Sequence, residues 1–159
     1  MVRVIEHRFA MEMPHSAARI WALLHDYDHW TDWSEMVERV DVLWPGDELQ
    51  NGRLRRVFYQ LPGGETGTSL ELVTDVVADR SHTYTMLSRD GNDHVGHVRL
   101  EPLGPNRTML HFDETADLDP EVYAFINEHN EAHMRDASQY LTEHPEYRPD
   151  LVQPEPGGG

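Results

Sequence analysis

Residues 125–141, FINEHNEAHMRDASQYL, belong to the last helix that the sequence predicts. Asp119 stands as its N-cap, Pro120 takes the first helical position, and Pro145 stops the run after His144. At a rise of roughly 1.5 Å per residue the helix is about 37 Å long, enough to lie across a sheet. At about 100° per residue, Ile126, Ala137 and Leu141 share one face, and Asn130 and His133 fall at its centre. A face that only filled a core would carry Leu or Ala there. An inward carboxamide and imidazole point to an interior that is a binding site.

Upstream of this helix the chain is a run of hairpins. GRLRRVFYQL, SLELVTDVV, HTYTMLS, HVGHVRLEPL and RTMLHFDETA read as strands separated by PGGETG, RDGND and GPN turns. Before them, residues 3–12 alternate as a strand. SAARIWALLHDY follows as a short helix with Ser16 as N-cap, HWTDWSEMV as a second short helical piece, and RVDVLWPG (39–46) as another strand. The expected class is therefore α+β: a curved seven-stranded antiparallel sheet around a long C-terminal helix, with two short helices after strand 1. Such a sheet closes poorly at its open side, and the gap between sheet and helix is a natural ligand cavity. One domain is expected over 1–147, with the Pro/Gly-rich 148–159 as a disordered tail.

Composition narrows the function. The formal charge is −16, from 29 acids against 13 bases, so phosphate backbones and anionic membranes are repelled and nucleic acid is not an expected partner. The chain has no cysteine, which excludes disulfides and thiolate metal sites. His25 and His29, and His129 and His133, are four apart, but no third ligand has a defined spacing and no metal is expected. There is no Gly-x-Ser-x-Gly elbow, phosphate loop or dinucleotide fingerprint, and PGGETG joins two strands, so no cofactor is expected. Charges interrupt MVRVIEHRFAMEM, which excludes a signal-peptide core there, and no later run spans a bilayer; a soluble, cytoplasmic protein is expected.

Period-two alternation assigns the cavity walls. Val98 and Leu100 bring His94 and Gly96 inward; Leu110 and Phe112 bring Glu114; Tyr84 and Met86 share a face, as do Leu70, Leu72, Thr74 and Val76. In 53–60 the pattern is ambiguous: Leu54 and Phe58 would bring Arg56 inward, Val57 and Tyr59 would bring Arg55. Arg56 is taken as the inward residue. The polar groups expected in the cavity are Arg56, Tyr84, His94, Glu114, Asn130 and His133. Phe58, Leu72, Met86, Phe112 and Ile126 are its apolar walls, and Trp30 and Trp33 either contact the ligand or anchor the short helices.

MPHSAARIWALLHDYDHWTDW (13–33), with its Asp-x-x-x-Trp-x-x-Trp, GRLRRVFYQLPGG (52–64), LVTDVVADRSHTYTM (72–86), VRLEPLGPNRTMLHF (98–112) and INEHNEAHMRDASQYL (126–141) together resemble the START-like, Bet v 1-like superfamily of helix-grip (SRPBCC) proteins. Within it the chain resembles the bacterial polyketide cyclase/aromatase group. The resemblance implies aldol cyclisation and dehydration of a hydrophobic, oxygenated intermediate such as a polyketide; a non-enzymatic carrier of a hydrophobic small molecule is the alternative. It also implies an inward arginine on the strand that reads SLELVTDVV, which holds none, so a guanidinium must come from elsewhere. The expected roles are His133 or His94 as base, Arg56 and Tyr84 as carbonyl polarisers, and Glu114 as acid or histidine-orienting group. An acyl carrier protein is a possible partner, with RLRR (53–56) the sole dense basic stretch to meet an acidic surface; a monomer or a homodimer fits equally.

Overall fold

The computed structural model describes residues 4–60, 62–87, 94–117 and 120–147, with the side chains of 4, 5, 62, 120–123 and 126 left aside. Strand β1 (Val4–Met13) is followed by α1 (Ala17–Leu24), a single 3₁₀ turn at Tyr27–His29, and α2 (Trp30–Trp33). Six strands follow: β2 (Val37–Trp44), β3 (Leu54–Gln60), β4 (Thr66–Val77), β5 (Ser81–Met86), β6 (His94–Gly104) and β7 (Arg107–Asp117). Helix α3 (Pro120–Glu143) completes the fold. The predicted cap Asp119, the turn at 89–93 and the tail 148–159 lie outside the described residues.

The sheet order is β1-β7-β6-β5-β4-β3-β2, antiparallel throughout. β2 to β7 form a meander, and β1 closes onto β7 from Val4↔Asp117 to Met13↔Thr108. α1 and α2 must therefore carry the chain from one edge of the sheet to the other. This is the expected helix-grip α+β architecture.

α1 begins where Pro14 ends β1 and the Ser16 hydroxyl accepts from the Arg19 amide at 3.3 Å. Its inner face, Ala17, Ile20, Leu23 and Leu24, is buried. The C-terminal half of α3 supplies Met134, Ala137 and Leu141 at helical spacing to the same core, which Met13, Leu100, Leu110 and Phe112 extend under the sheet. Polar bonds pin this junction. His15 Nε2 lies 3.0 Å from the Ser138 carbonyl and 3.1 Å from the Thr142 hydroxyl. The Arg19 guanidinium donates to the carbonyls of Leu141 (3.5 Å), His144 (3.0 Å) and Tyr147 (3.3 Å). A cation at the carbonyl end of a helix satisfies orphan acceptors and complements the macrodipole. No helix among the described residues is long and apolar enough to cross a membrane.

Arg19→Met keeps the apolar stem and removes the donors. It is expected to cost on the order of 2 kcal/mol, a fall of roughly 4–8 °C in melting temperature by calorimetry. An unchanged melting temperature would show that apolar packing alone docks α3.

Candidate functional site

Between the middle of α3, at Asn130, His133 and Met134, and the sheet lies a cavity of about 60 Å³. Its floor comes from β3 to β7. Gly63 turns the chain at φ +85, and the hairpin around it sets Arg55 opposite Glu71. Both are buried, at 4% and 3% exposure. Arg55 Nε and Nη2 reach Glu71 Oε1 at 2.9 and 2.8 Å, and Nη1 donates to the Tyr27 hydroxyl at 2.9 Å. Glu71 Oε2 accepts from Ser69 (2.7 Å) and Tyr59 (2.8 Å). Burial alone would raise the Glu71 carboxyl, but the Arg55 charge and these hydroxyls hold it below the usual carboxylate range. The pair is a net-neutral unit. The guanidinium carbon lies 5.0 Å from the Tyr27 ring centroid, 5.3 Å from Trp30 and 5.8 Å from Tyr84, so three aromatic rings surround the cation.

Tyr84 and Gly96 face each other across β5 and β6. A β-carbon at Gly96 would overlap the Tyr84 ring, so glycine is what lets the phenol lie flat across the neighbouring strand. Burial keeps this phenol protonated well above its ordinary range. His133 comes down from α3 between Trp30 and Trp33, at ring-centroid distances of 4.9 and 4.6 Å, with Nδ1 2.8 Å from the Ser34 hydroxyl. Burial lowers its imidazole to about 4, so it is neutral at pH 7. Beside Tyr84, His94 Nε2 meets Glu114 Oε1, while Asn130 donates to Glu114 Oε2 at 2.8 Å. Burial pushes Glu114 up to about 7 and His94 down to about 4, so the two together hold one proton below neutrality.

A cavity of this size holds about two waters, against roughly 300–1,000 Å³ for ordinary ligand sites. Next to it runs an open groove of about 540 Å³ lined by Glu35, Gln60, Phe125, His129 and Asp136. Met36 and His133 line both spaces. A ligand that enters from the groove must part these two side chains. No group of three or more His, Asp or Glu among the described residues is arranged to hold a metal ion.

Of the expected polar residues, Tyr84, Asn130 and His133 line the cavity, together with Trp30, Met86 and Phe112. His94 and Glu114 are buried beside it. Trp33 packs behind His133 as core. The Ile126 side chain is outside the described residues. Three placements are corrected. Arg56 is exposed and Arg55 takes the inner position, while Phe58 lies on the outer face beneath the Arg39 guanidinium, 4.1 Å from its centroid. Leu72 lies on the outer face with Leu54 and Leu70, because Glu71 and Val73 point inward. Val76 is inward as expected, but only because the register shifts between Thr74 and Val77, where Asp75 has φ 53. These differences on β3 and β4 have one physical cause: two opposite charges neutralise each other inside and leucines cover the outside. Arg55 and Glu71 stand eight residues either side of Gly63, a spacing that makes them cross-strand partners once the hairpin is centred there. With Arg55 buried, RLRR also ceases to be a dense basic surface patch.

Residues 6–144 match the family model described as polyketide cyclase/dehydrase and lipid transport. No curated protein matches the chain in sequence. Among solved structures, the Zhui aromatase/cyclase from Streptomyces sp. R1128 is similar at 17% identity and TM-score 0.76, covering 90% of this chain and 96% of that one. A START superfamily protein from Mycobacterium smegmatis is similar at 17% identity and TM-score 0.73, covering 87% and 97%. Ara h 8.0201 is similar at 12% identity and TM-score 0.73, covering 89% and 99%. These likenesses are of fold.

His25 and His133 are both lowered from 6.5 to about 4. A depressed folded-state pKa gives stability that is present above the unfolded value and lost as pH falls through the folded one. Each therefore contributes at most about 3 kcal/mol at pH 7, lost between pH 6.5 and 4. Glu114, raised to about 7, runs the other way: its contribution is present below 4.5 and lost as pH rises through 7. Urea unfolding from pH 7 to 4.5 is expected to show falling stability, with a shallower slope in His133→Phe. Equal slopes would mean that His133 is not held neutral.

Proposed function

Because the chain belongs to the polyketide cyclase/dehydrase and lipid transport family, we propose that it cyclises a hydrophobic, oxygenated poly-β-ketone-like intermediate by aldol condensation and dehydration in the cavity under α3. The observation that carries this reading is Arg55. A guanidinium has five N–H donors; three contacts go to Glu71 and Tyr27, which leaves donors for a ligand oxygen. Held in aromatic walls and pre-oriented by Glu71, it polarises a carbonyl without reorganising.

The roles follow from the protonation states. The neutral imidazole of His133 takes a proton from a carbon between two carbonyls, and Arg55 stabilises the enolate oxygen. The carbanion closes a carbon–carbon bond onto a second carbonyl, whose oxygen receives a proton from the Tyr84 phenol. That hydroxyl then leaves with a neighbouring hydrogen as water, and Tyr84 and His133 return to their starting states. Glu114 and His94, with Asn130 fixing the carboxyl, hold an exchangeable proton beside Tyr84. Folding a flexible chain against fixed walls supplies the proximity term. The carrier reading rests on the family description, which includes lipid transport, and uses the same cavity without the proton transfers.

Coexpression with a minimal polyketide synthase, with products compared by mass and ring pattern, separates the two. Wild type is expected to give a redirected ring product one water lighter than its precursor. Removing Arg55 alone would strand Glu71 as a buried charge, so the variant to use is Arg55→Met/Glu71→Leu, which removes both charges together. With its melting temperature checked, it is expected to lose roughly 100-fold or more of that product. An undiminished product in the variant would sink the Arg55 assignment, and ligand recovered chemically unchanged from wild type would favour the carrier.

A further inference from the structure

Two buried histidines have no part in this reaction. His25 lies at the C-terminal end of α1, and His82 on β5, two residues before Tyr84 and on the same inner face. His82 lines the cavity. His25 Nδ1 is 2.7 Å from the Trp21 carbonyl, and His25 Nε2 is 3.1 Å from His82 Nδ1. Trp21 covers the His25 ring at a centroid distance of 4.0 Å. Both imidazoles are buried, which lowers their proton affinity, and the Arg55 cation adds to that effect.

The hydrogen bonds fix where each proton sits. A carbonyl only accepts, so His25 Nδ1 carries a hydrogen. A neutral imidazole has one N–H, so His25 Nε2 is an acceptor. His82 Nδ1 must then be the donor between the rings, and His82 Nε2 is left with a lone pair. We infer that the Trp21–His25 chain locks His82 in its Nδ1–H form, and that His82 Nε2 is the acceptor that binds a phenolic or enolic hydroxyl of the ligand. His25 is a positioning residue and His82 a ligand-binding one.

The surroundings define the ligand class. Arg55 offers hydrogens and His82 Nε2 offers a lone pair, so a neutral molecule with both a carbonyl oxygen and a hydroxyl satisfies the two. A carboxylate would set lone pair against lone pair at His82. An ammonium ion would meet the Arg55 charge. The charged and titratable groups that bear on the two rings are Arg53, Arg55 and His97. This inference rests on the cavity being a ligand site and is independent of whether cyclisation occurs there.

The test uses the full chain with ¹⁵N-labelled histidine. Long-range ¹H–¹⁵N correlation spectra at pH 7, assigned with His25→Phe and His82→Phe, are expected to show both rings in the Nδ1–H form. 1-Naphthol is expected to bind about tenfold or more tighter than 1-methoxynaphthalene, which cannot donate, and to shift the His82 Nε2 resonance. In His82→Phe that preference is expected to vanish through weaker naphthol binding, with methoxynaphthalene unchanged. In His25→Phe, His82 is expected to move its proton to Nε2 and the preference to fall. A wild-type His82 with its proton on Nε2 would overturn the inference without any variant needing to fold. So would equal binding of the two probes, failure of both to bind, or a preference that survives His82→Phe. A missing ring product in coexpression with these results intact would count against the cyclase and not against the hydroxyl site.

Discussion

The junction between α1 and the C-terminal half of α3 is the contact on which the rest of the molecule depends. Ile20 and Leu23 meet Ala137 and Leu141 there, and His15 and Arg19 tie the end of α3 to the start of α1. α1 is also the bridge that carries the chain from β1 at one edge toward β2 at the other. Fixing α3 at one end sets its height above the sheet along its whole length. The middle of α3 carries Asn130 and His133 where a packed helix would carry leucine, and the cavity lies beneath them. The site is thus the unpacked continuation of the core.

A second constraint is electrostatic. The cavity region buries one strong ion pair, Arg55–Glu71, one carboxyl–imidazole pair, Glu114–His94, and three further imidazoles, His25, His82 and His133. Such groups are tolerated only when each is paired or neutral. Here every one is: the ion pair by cross-strand register and three hydroxyl partners, the carboxyl by raised proton affinity, the imidazoles by lowered proton affinity. The consequence is a pocket with a single fixed cation, several neutral acceptors and apolar walls. An apolar core of the same volume would hold the fold as well, so stability alone does not account for these groups.

Much of this was legible in the chain. Helical spacing in 125–141 put Asn130 and His133 on the inner face, and alternation in β5, β6 and β7 put Tyr84, Met86, His94, Phe112 and Glu114 inside. β6 and β7 alternate cleanly because one face meets water and the other does not. β3 and β4 misled because their outer face carries Leu54, Phe58, Leu70 and Leu72 while their inner face carries a compensated charge pair. Hydropathy scores each residue alone, and a pair that cancels is visible only when both strands are considered together. The His25–His82 pair was missed for a related reason: the two are far apart in sequence, and the spacing that marks His25 joins it to His29 and not to His82.

The sequence by itself determined the order of elements, the curved antiparallel sheet around a long helix, the family, and which helix face looks inward. These depend on local periodicity, turn residues and caps, which the chain carries within a few residues of each position. Only the tertiary structure decided which arginine is inside, that the charge pair lies under aromatic rings, and that two histidines share a hydrogen bond across the core. Those are contacts between residues 16 and 57 positions apart, and their protonation depends on burial that no local stretch records.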